Sequence, residues 1–285
     1  MEKLMKEMIL VPTDFSEVCY NAITHAVEMA KFLKFKVSVL HVINKETVSQ
    51  LKKESRGVDA VQDKLKDITL SIKEKYDFDI QVISREGSIF TTISEVAQEI
   101  GSSLIVLGTH GKVGIQQHLT GSFALKVILS AFAPVIVIQK GTKFENGYKN
   151  IIFPVSTTAE VRQKVKWAVM IAKVFNSKIH LFMKQDAAEE LQIKLRGIVN
   201  QITDTLDENN IEYLLVPAEK GGNFSKHTLS YAQYTKADLI MVMTNPGALN
   251  FVVEPEDEQM IFNQQQVPVM CVNPRELTTL HWFGN

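Results

Sequence analysis

One pattern occurs twice along this chain, in the same order, and that repetition constrains the fold more than any other feature. Near the start stands Met8-Ile9-Leu10-Val11-Pro12-Thr13-Asp14, and at 150 the chain reads Asn150-Ile151-Ile152-Phe153-Pro154-Val155-Ser156. Each is a short apolar run stopped by proline and followed by a helical stretch. Further on, Leu104-Ile105-Val106-Leu107-Gly108-Thr109 matches Leu239-Ile240-Met241-Val242-Met243-Thr244, and Ala133-Pro134-Val135-Ile136-Val137-Ile138 matches Val267-Pro268-Val269-Met270-Cys271-Val272. The polar, glycine-bearing stretch 141–148 reads as a linker. The expectation is two domains, 1–140 and 149–285, each of ordinary size for a small domain.

Within the first half, strand-like runs at 8–13, 36–43, 79–84, 103–108 and 134–138 alternate with helical patterns near 17–34, 58–76, 88–100 and 121–131. Leu104-Ile105-Val106-Leu107 is apolar on both faces, as parallel strands covered by helices must be. Ala22, Ile23, Ala26, Val27 and Ala30 recur at helical spacing and give one apolar face. Such alternation implies right-handed crossovers and a doubly wound α/β parallel sheet. The second half repeats the order, with strands near 150–155, 178–183, 211–216, 238–243 and 268–272.

Composition narrows the class. Of 285 residues, 45% are apolar and 22% charged, as in globular proteins, and the net charge of -1 argues against a broad surface for nucleic acid or anionic lipid. No apolar run approaches the ~18 residues a membrane span needs. The opening MEKLMKEMIL shows no signal peptide pattern, and the two cysteines, Cys19 and Cys271, are too far apart to suggest a disulfide framework. A cytoplasmic protein is expected. Cys19 would sit in a first helical turn, where the dipole favours a thiolate, or serve as a small buried hydrophobe.

The segment that carries chemistry is Gly108-Thr109-His110-Gly111-Lys112-Val113-Gly114-Ile115-Gln116-Gln117-His118-Leu119-Thr120-Gly121-Ser122. It runs from the end of the fourth strand to the start of a helix, where open parallel sheets bind ligands. Glycines let main-chain amides approach an anion, and the free amides at a helix start suit a phosphate. There is neither a GxxxxGK[ST] loop nor a GxGxxG after the first strand. On residues alone, Asp14 could cap the following helix, His110 could be an exposed loop histidine, and Gly121-Ser122 could be an ordinary helix start. His25 and His41 read as packing histidines.

The spacing Gly108-x2-Gly111-x9-Gly121-Ser122 resembles the nucleotide-binding signature of the ATP-binding universal stress proteins. Ile9-Leu10-Val11-Pro12-Thr13-Asp14-Phe15-Ser16, Leu40-His41-Val42-Ile43 and Pro134-Val135-Ile136-Val137 resemble that family's first, second and fifth strands. The resemblance covers the first half fully and the second in outline. It implies two tandem five-stranded sheets of order 3-2-1-4-5, adenine nucleotide alpha hydrolase-like, arranged as a pseudo-twofold pair. It places Asp14 near adenine and ribose, with Pro12 and Thr13 beside it. Val42 would offer main-chain hydrogen bonds to the adenine edge, and Gly108, His110, Gly111, Gly121, Ser122 and Phe123 would line ribose and phosphates. The implied ligand is ATP, with AMP or ADP as alternatives, and Mg2+ bridging the phosphates. The implied role is regulation in a stress response through a protein partner the sequence does not name. Hydrolysis would be weak at most, since no arginine finger or Walker-type aspartate stands near His110 and Lys112. A nucleotide-independent scaffold is the alternative.

Aligning the repeats predicts that the second half has lost this site. Asp14 falls opposite Ser156, Gly108 opposite Met243, Gly111 opposite Pro246, and Gly121-Ser122 opposite Pro255-Glu256 within the acidic run 254–258. The family dimerises through its fifth strands, so 134–138 is expected to run antiparallel to 268–272 within one chain, with or without further pairing of chains.

Overall fold

The computed structural model describes residues 6–109, 121–145, 147–244 and 255–274. The first half builds strands β1 (Lys6–Pro12), β2 (Lys36–Ile43), β3 (Ile80–Glu86), β4 (Ser102–Gly108) and β5 (Val135–Ile138). Between them lie helices α1 (Glu17–Leu33), α2 (Lys45–Lys53), α3 (Asp59–Tyr76), α4 (Ile89–Ile100) and α5 (Gly121–Ser130). The second half builds β6 (Asn150–Val155), a 3-10 turn (Ala159–Lys164), α6 (Val165–Phe175), β7 (Lys178–Gln185), α7 (Glu189–Glu208), β8 (Tyr213–Lys220), α8 (Phe224–Tyr234), β9 (Leu239–Met243), α9 (Pro255–Ile261) and β10 (Val269–Val272).

All ten strands join one sheet, in the order β3-β2-β1-β4-β5-β10-β9-β6-β7-β8. Each half is parallel with order 3-2-1-4-5. The halves meet where β5 and β10 run antiparallel, Val137 opposite Val269 and Val135 opposite Cys271. This is the expected pairing, and it relates the halves by a pseudo-twofold axis. Its cause is visible in the side chains: all four residues of β5 and all four of β10 are buried. Left as edges, such strands would template aggregation.

Period-two alternation splits the core into two layers, each continuous across both halves. One face carries Ile136, Ile138, Met270 and Val272 with the apolar stripes of α1, α3, α6 and α7. The other carries Val135, Val137, Val269 and Cys271 with those of α4, α5, α8 and α9. The outermost strands β3 and β8 are largely exposed. β8 starts two residues later than the sequence suggests, because its exposed Leu214 and Leu215 give no buried alternation to read. Helix α2 was not anticipated: it is polar, with Leu51 its buried residue, and is started by Asn44, whose Oδ1 accepts from the Thr47 amide at 2.8 Å.

Candidate functional site

The first half opens a crevice above β1, and proline is the reason. The Thr13 amide donates to the Leu40 carbonyl at 2.8 Å, so odd-numbered residues of β1 face β2 and even-numbered ones face β4. The amide hydrogen that Pro12 lacks is therefore missing on the β4 side. The β1–β4 ladder ends accordingly at Leu10 opposite Ile105.

The neighbouring strands overshoot that end. Because the Leu40 carbonyl faces β1, alternation turns the peptide groups of Val42 to the same side, beyond the last residue of β1. On the other flank the Thr109 amide donates to Ile138 at 2.8 Å, toward β5, so the peptide groups of Gly108 face β1. Main-chain groups of Val42 and Gly108 thus converge over Thr13 and Asp14 from opposite sides.

The floor is a tight, prearranged turn. The Phe15 amide donates to Thr13 Oγ1 at 3.0 Å and the Ser16 amide to Asp14 Oδ1 at 2.9 Å. Phe15 adopts a left-handed φ of 67° and stacks on His41 at 4.3 Å between ring centroids. His41 Nδ1 bonds the Thr13 carbonyl at 2.8 Å. Burial holds the imidazole below its usual range against the opposing pull of the Thr13 carbonyl and Asp14, so His41 is a neutral brace for the turn. The helix cap is Ser16, whose Oγ accepts from the Cys19 amide at 3.4 Å, and not Asp14.

Gly108 has a packing reason beside any ligand. A Cβ there would lie 2.8 Å from the Val18 carbonyl oxygen and 3.1 Å from Cys19 Cα, so glycine lets α1 press onto the end of β4. Among the other residues expected at the site, the main chain of α5 begins at Gly121. Phe123 stacks on Phe90 at 5.3 Å. His110, Gly111 and the side chain of Ser122 lie outside the described residues. Cys19 is buried and its thiol is pushed up to about 12, first by burial and then by Asp14, so it is the inert hydrophobe and not a thiolate. His25 is likewise a core histidine, pushed down to about 3 by burial, with Nε2 bonded to Tyr148 Oη at 2.6 Å.

The second half repeats the crevice and fills it. Pro154 ends the β6–β9 ladder as Pro12 ends its own, with Ile152 opposite Ile240 the last rung. Across the parted strands Lys164 Nζ donates to the Pro154 carbonyl at 2.7 Å and the Met241 carbonyl at 2.8 Å, and lies 4.3 Å from the Phe153 ring centroid. Lys164 is 1% exposed. Burial brings its ammonium down to about 7, opposed by Asp257. Counted back from the left-handed helix caps Lys34 and Asn176, Lys164 corresponds to Ala22 in α1. Met243 stands where Gly108 does, and the segment facing it is a 3-10 turn instead of the first α-helical turns. Sequence comparison identified the lost glycine and missed the lysine. The signal was there: Val161, Lys164, Val165 and Ala168 share one helical stripe, with a lysine among apolar residues.

No described helix is long and apolar enough to cross a membrane. Among the described residues no three His, Cys, Asp or Glu side chains gather as they would to hold a metal.

With this geometry in view, the relatives are informative. The model of the universal stress protein family matches residues 5–139. The chain is 33% identical over 154 residues to universal stress protein MJ0531 of Methanocaldococcus jannaschii, covering 50% of this chain and 86% of that protein. It is 26% identical over 157 residues to universal stress protein MJ0577 of the same organism, covering 48% and 97%. A solved universal stress protein from Archaeoglobus fulgidus spans both halves: it covers 94% of this chain and 98% of its own, with a TM-score of 0.75 at 16% identity, a likeness of fold.

Proposed function

The chain belongs to the universal stress protein family, and from that premise we propose that it binds one adenine nucleotide, ATP, in the crevice above β1 and none in its second half. The observation that carries the proposal is the convergence of the Val42 and Gly108 peptide groups over Asp14, with α5 starting at Gly121 after the glycine-bearing segment. The chemistry fits the ligand. An adenine edge needs a neighbouring donor and acceptor, which a strand's peptide groups supply. Ribose hydroxyls suit the Asp14 carboxylate. Phosphates suit the amides at the start of a helix. Any Mg2+ would be held mainly by the phosphates themselves.

In the second half Lys164 already bonds the two carbonyls that border the corresponding gap. That half serves instead to cover β5. The described site offers donors and a carboxylate but no arginine to stabilise a leaving phosphate, which favours a regulatory binder over a hydrolase. Two buried free cysteines are compatible with work in a reducing cytoplasm, in a stress response exerted through a protein partner.

Thermal unfolding with and without ATP tests the proposal. Ligand at ~100 times its dissociation constant stabilises by about 2.7 kcal/mol. A shift that Gly121→Val abolishes is expected. No shift at millimolar ATP would leave a nucleotide-independent scaffold as the better account.

A further inference from the structure

The last helix of the first half is fastened at its far end by the second half. Helix α5 begins at Gly121 and ends at Ser130, leaving its last carbonyls without partners inside the helix. Three are met locally: Ser130 Oγ donates to the Val127 carbonyl at 3.3 Å, the Ala131 amide to the Ile128 carbonyl at 3.3 Å, and Ser94 Oγ to the Ser130 carbonyl at 3.0 Å. Further donors come from across the interface. Asn273, just past β10, brings Nδ2 to the carbonyls of Ile128 at 2.7 Å, Leu129 at 3.2 Å and Ala131 at 3.0 Å. Those carbonyls fix the direction of the amide, leaving its Oδ1 to accept from Thr244 Oγ1, whose single hydrogen is shared with the Val272 carbonyl at 3.1 Å. Thr244 is anchored in turn, its amide donating to the Val272 carbonyl at 3.0 Å. Thr244 follows β9 as Thr109 follows β4. The hydrogen bonds therefore run from the end of a second-half strand, through Asn273, to the helix whose start belongs to the proposed nucleotide site.

We infer that Asn273 is a positioning residue through which the second half sets the nucleotide affinity of the first. A helix of ten residues moves as a rigid rod, so a clamp at its C-terminus fixes where the amides of its first turn point. Asparagine suits the task because one side chain supplies two N–H donors for the carbonyls and one acceptor for Thr244. The mirror contact exists but serves the other half: Gln139, just past β5, donates Nε2 to the Asn263 carbonyl at 2.9 Å, beyond the end of α9. By the filled crevice of that half, this second clamp positions no ligand. The inference rests on the nucleotide reading of the first half and adds to it the reason a siteless second half matters: it is a built-in regulator of the neighbouring site.

The mirror pair supplies its own control. In the full chain, Asn273→Asp places a carboxylate against three carbonyls, Asn273→Leu removes the donors, and Gln139→Leu removes the equivalent contact on α9. Two readouts are taken: ATP affinity by calorimetry, and hydrogen exchange of segment 121–130 without nucleotide. The expected result is an affinity loss of about tenfold, within the ordinary range of coupling between sites, in both Asn273 variants, with faster exchange of the hydrogen-bonded amides of α5. Gln139→Leu should change neither, and Thr244→Val should act like a weaker Asn273 variant. Equal effects from the Asn273 and Gln139 variants would reduce the contact to plain interface stability and overturn the inference. So would unchanged exchange at 121–130. Wild type that fails to bind ATP overturns the nucleotide reading itself. Wild type that binds, with Asn273 variants binding equally well, overturns this inference alone.

Discussion

Replacing Lys164 with methionine should change how the protein's stability depends on pH, and the structure dictates the sign. The side chain is fully buried and its nitrogen meets two carbonyls. A neutral amine has two N–H donors, so the two carbonyls take both hydrogens of the uncharged form, while burial penalises the charged one. In the folded chain the ammonium gives up its proton near 7, against an ordinary value of 10.5. Above that folded value, unfolding takes up a proton, so raising the pH stabilises the native state. Below it both states hold the proton and the dependence vanishes. The gain is at most about 1.4 kcal/mol per pH unit above neutrality, or roughly 2–3 kcal/mol across two units. Lys164→Met lacks it. Urea unfolding of both proteins from about pH 6 to about pH 9 reads the effect, each midpoint and slope giving a free energy. The difference, wild type minus variant, should be flat to about 7 and then climb. The two buried thiols are common to both proteins and cancel. A difference that stays flat across the range would show the lysine held as a charge throughout and would refute the reasoning.

Other consequences follow from the same packing. Gly108→Ala should lower stability by about 1–3 kcal/mol in chemical unfolding, because its new methyl meets the main chain of Val18 and Cys19 and not a flexible side chain. Tyr148→Phe should cost about 1–3 kcal/mol, since it takes the partner from His25 Nε2 in a histidine whose Nδ1 already has none. A fragment of residues 1–140 should sediment as a dimer or larger, because β5 would lose the antiparallel partner that buries it. A monodisperse monomer would contradict the central pairing.

Much of this architecture was legible because its signals are local. Buried parallel strands such as β4 are apolar on both faces, and α1 carries an unbroken stripe, so type and order follow from the letters. The antiparallel junction was legible for a different reason: the resembled family pairs through its fifth strands, and two apolar edges here suit that pairing. What stayed hidden depends on three-dimensional direction. Gly108 reads as a ligand glycine, yet the direction of its missing Cβ points into the α1 main chain. Lys164 stands on an apolar stripe in the letters, yet only the 3-10 turn shows it aimed between β6 and β9. Asn273 follows β10 in the sequence, and only the pairing of the halves brings it to the end of α5. Helix α2 escaped because a polar helix with one buried leucine has no periodicity to see.

The asymmetry between the halves is the centre of the account, and counting ligands tests it most directly. Titration calorimetry of the intact chain with ATP should give one site per polypeptide, lost in Gly121→Val. A stoichiometry of two, or binding that survives that substitution, would place nucleotide where Lys164 now sits and contradict the account.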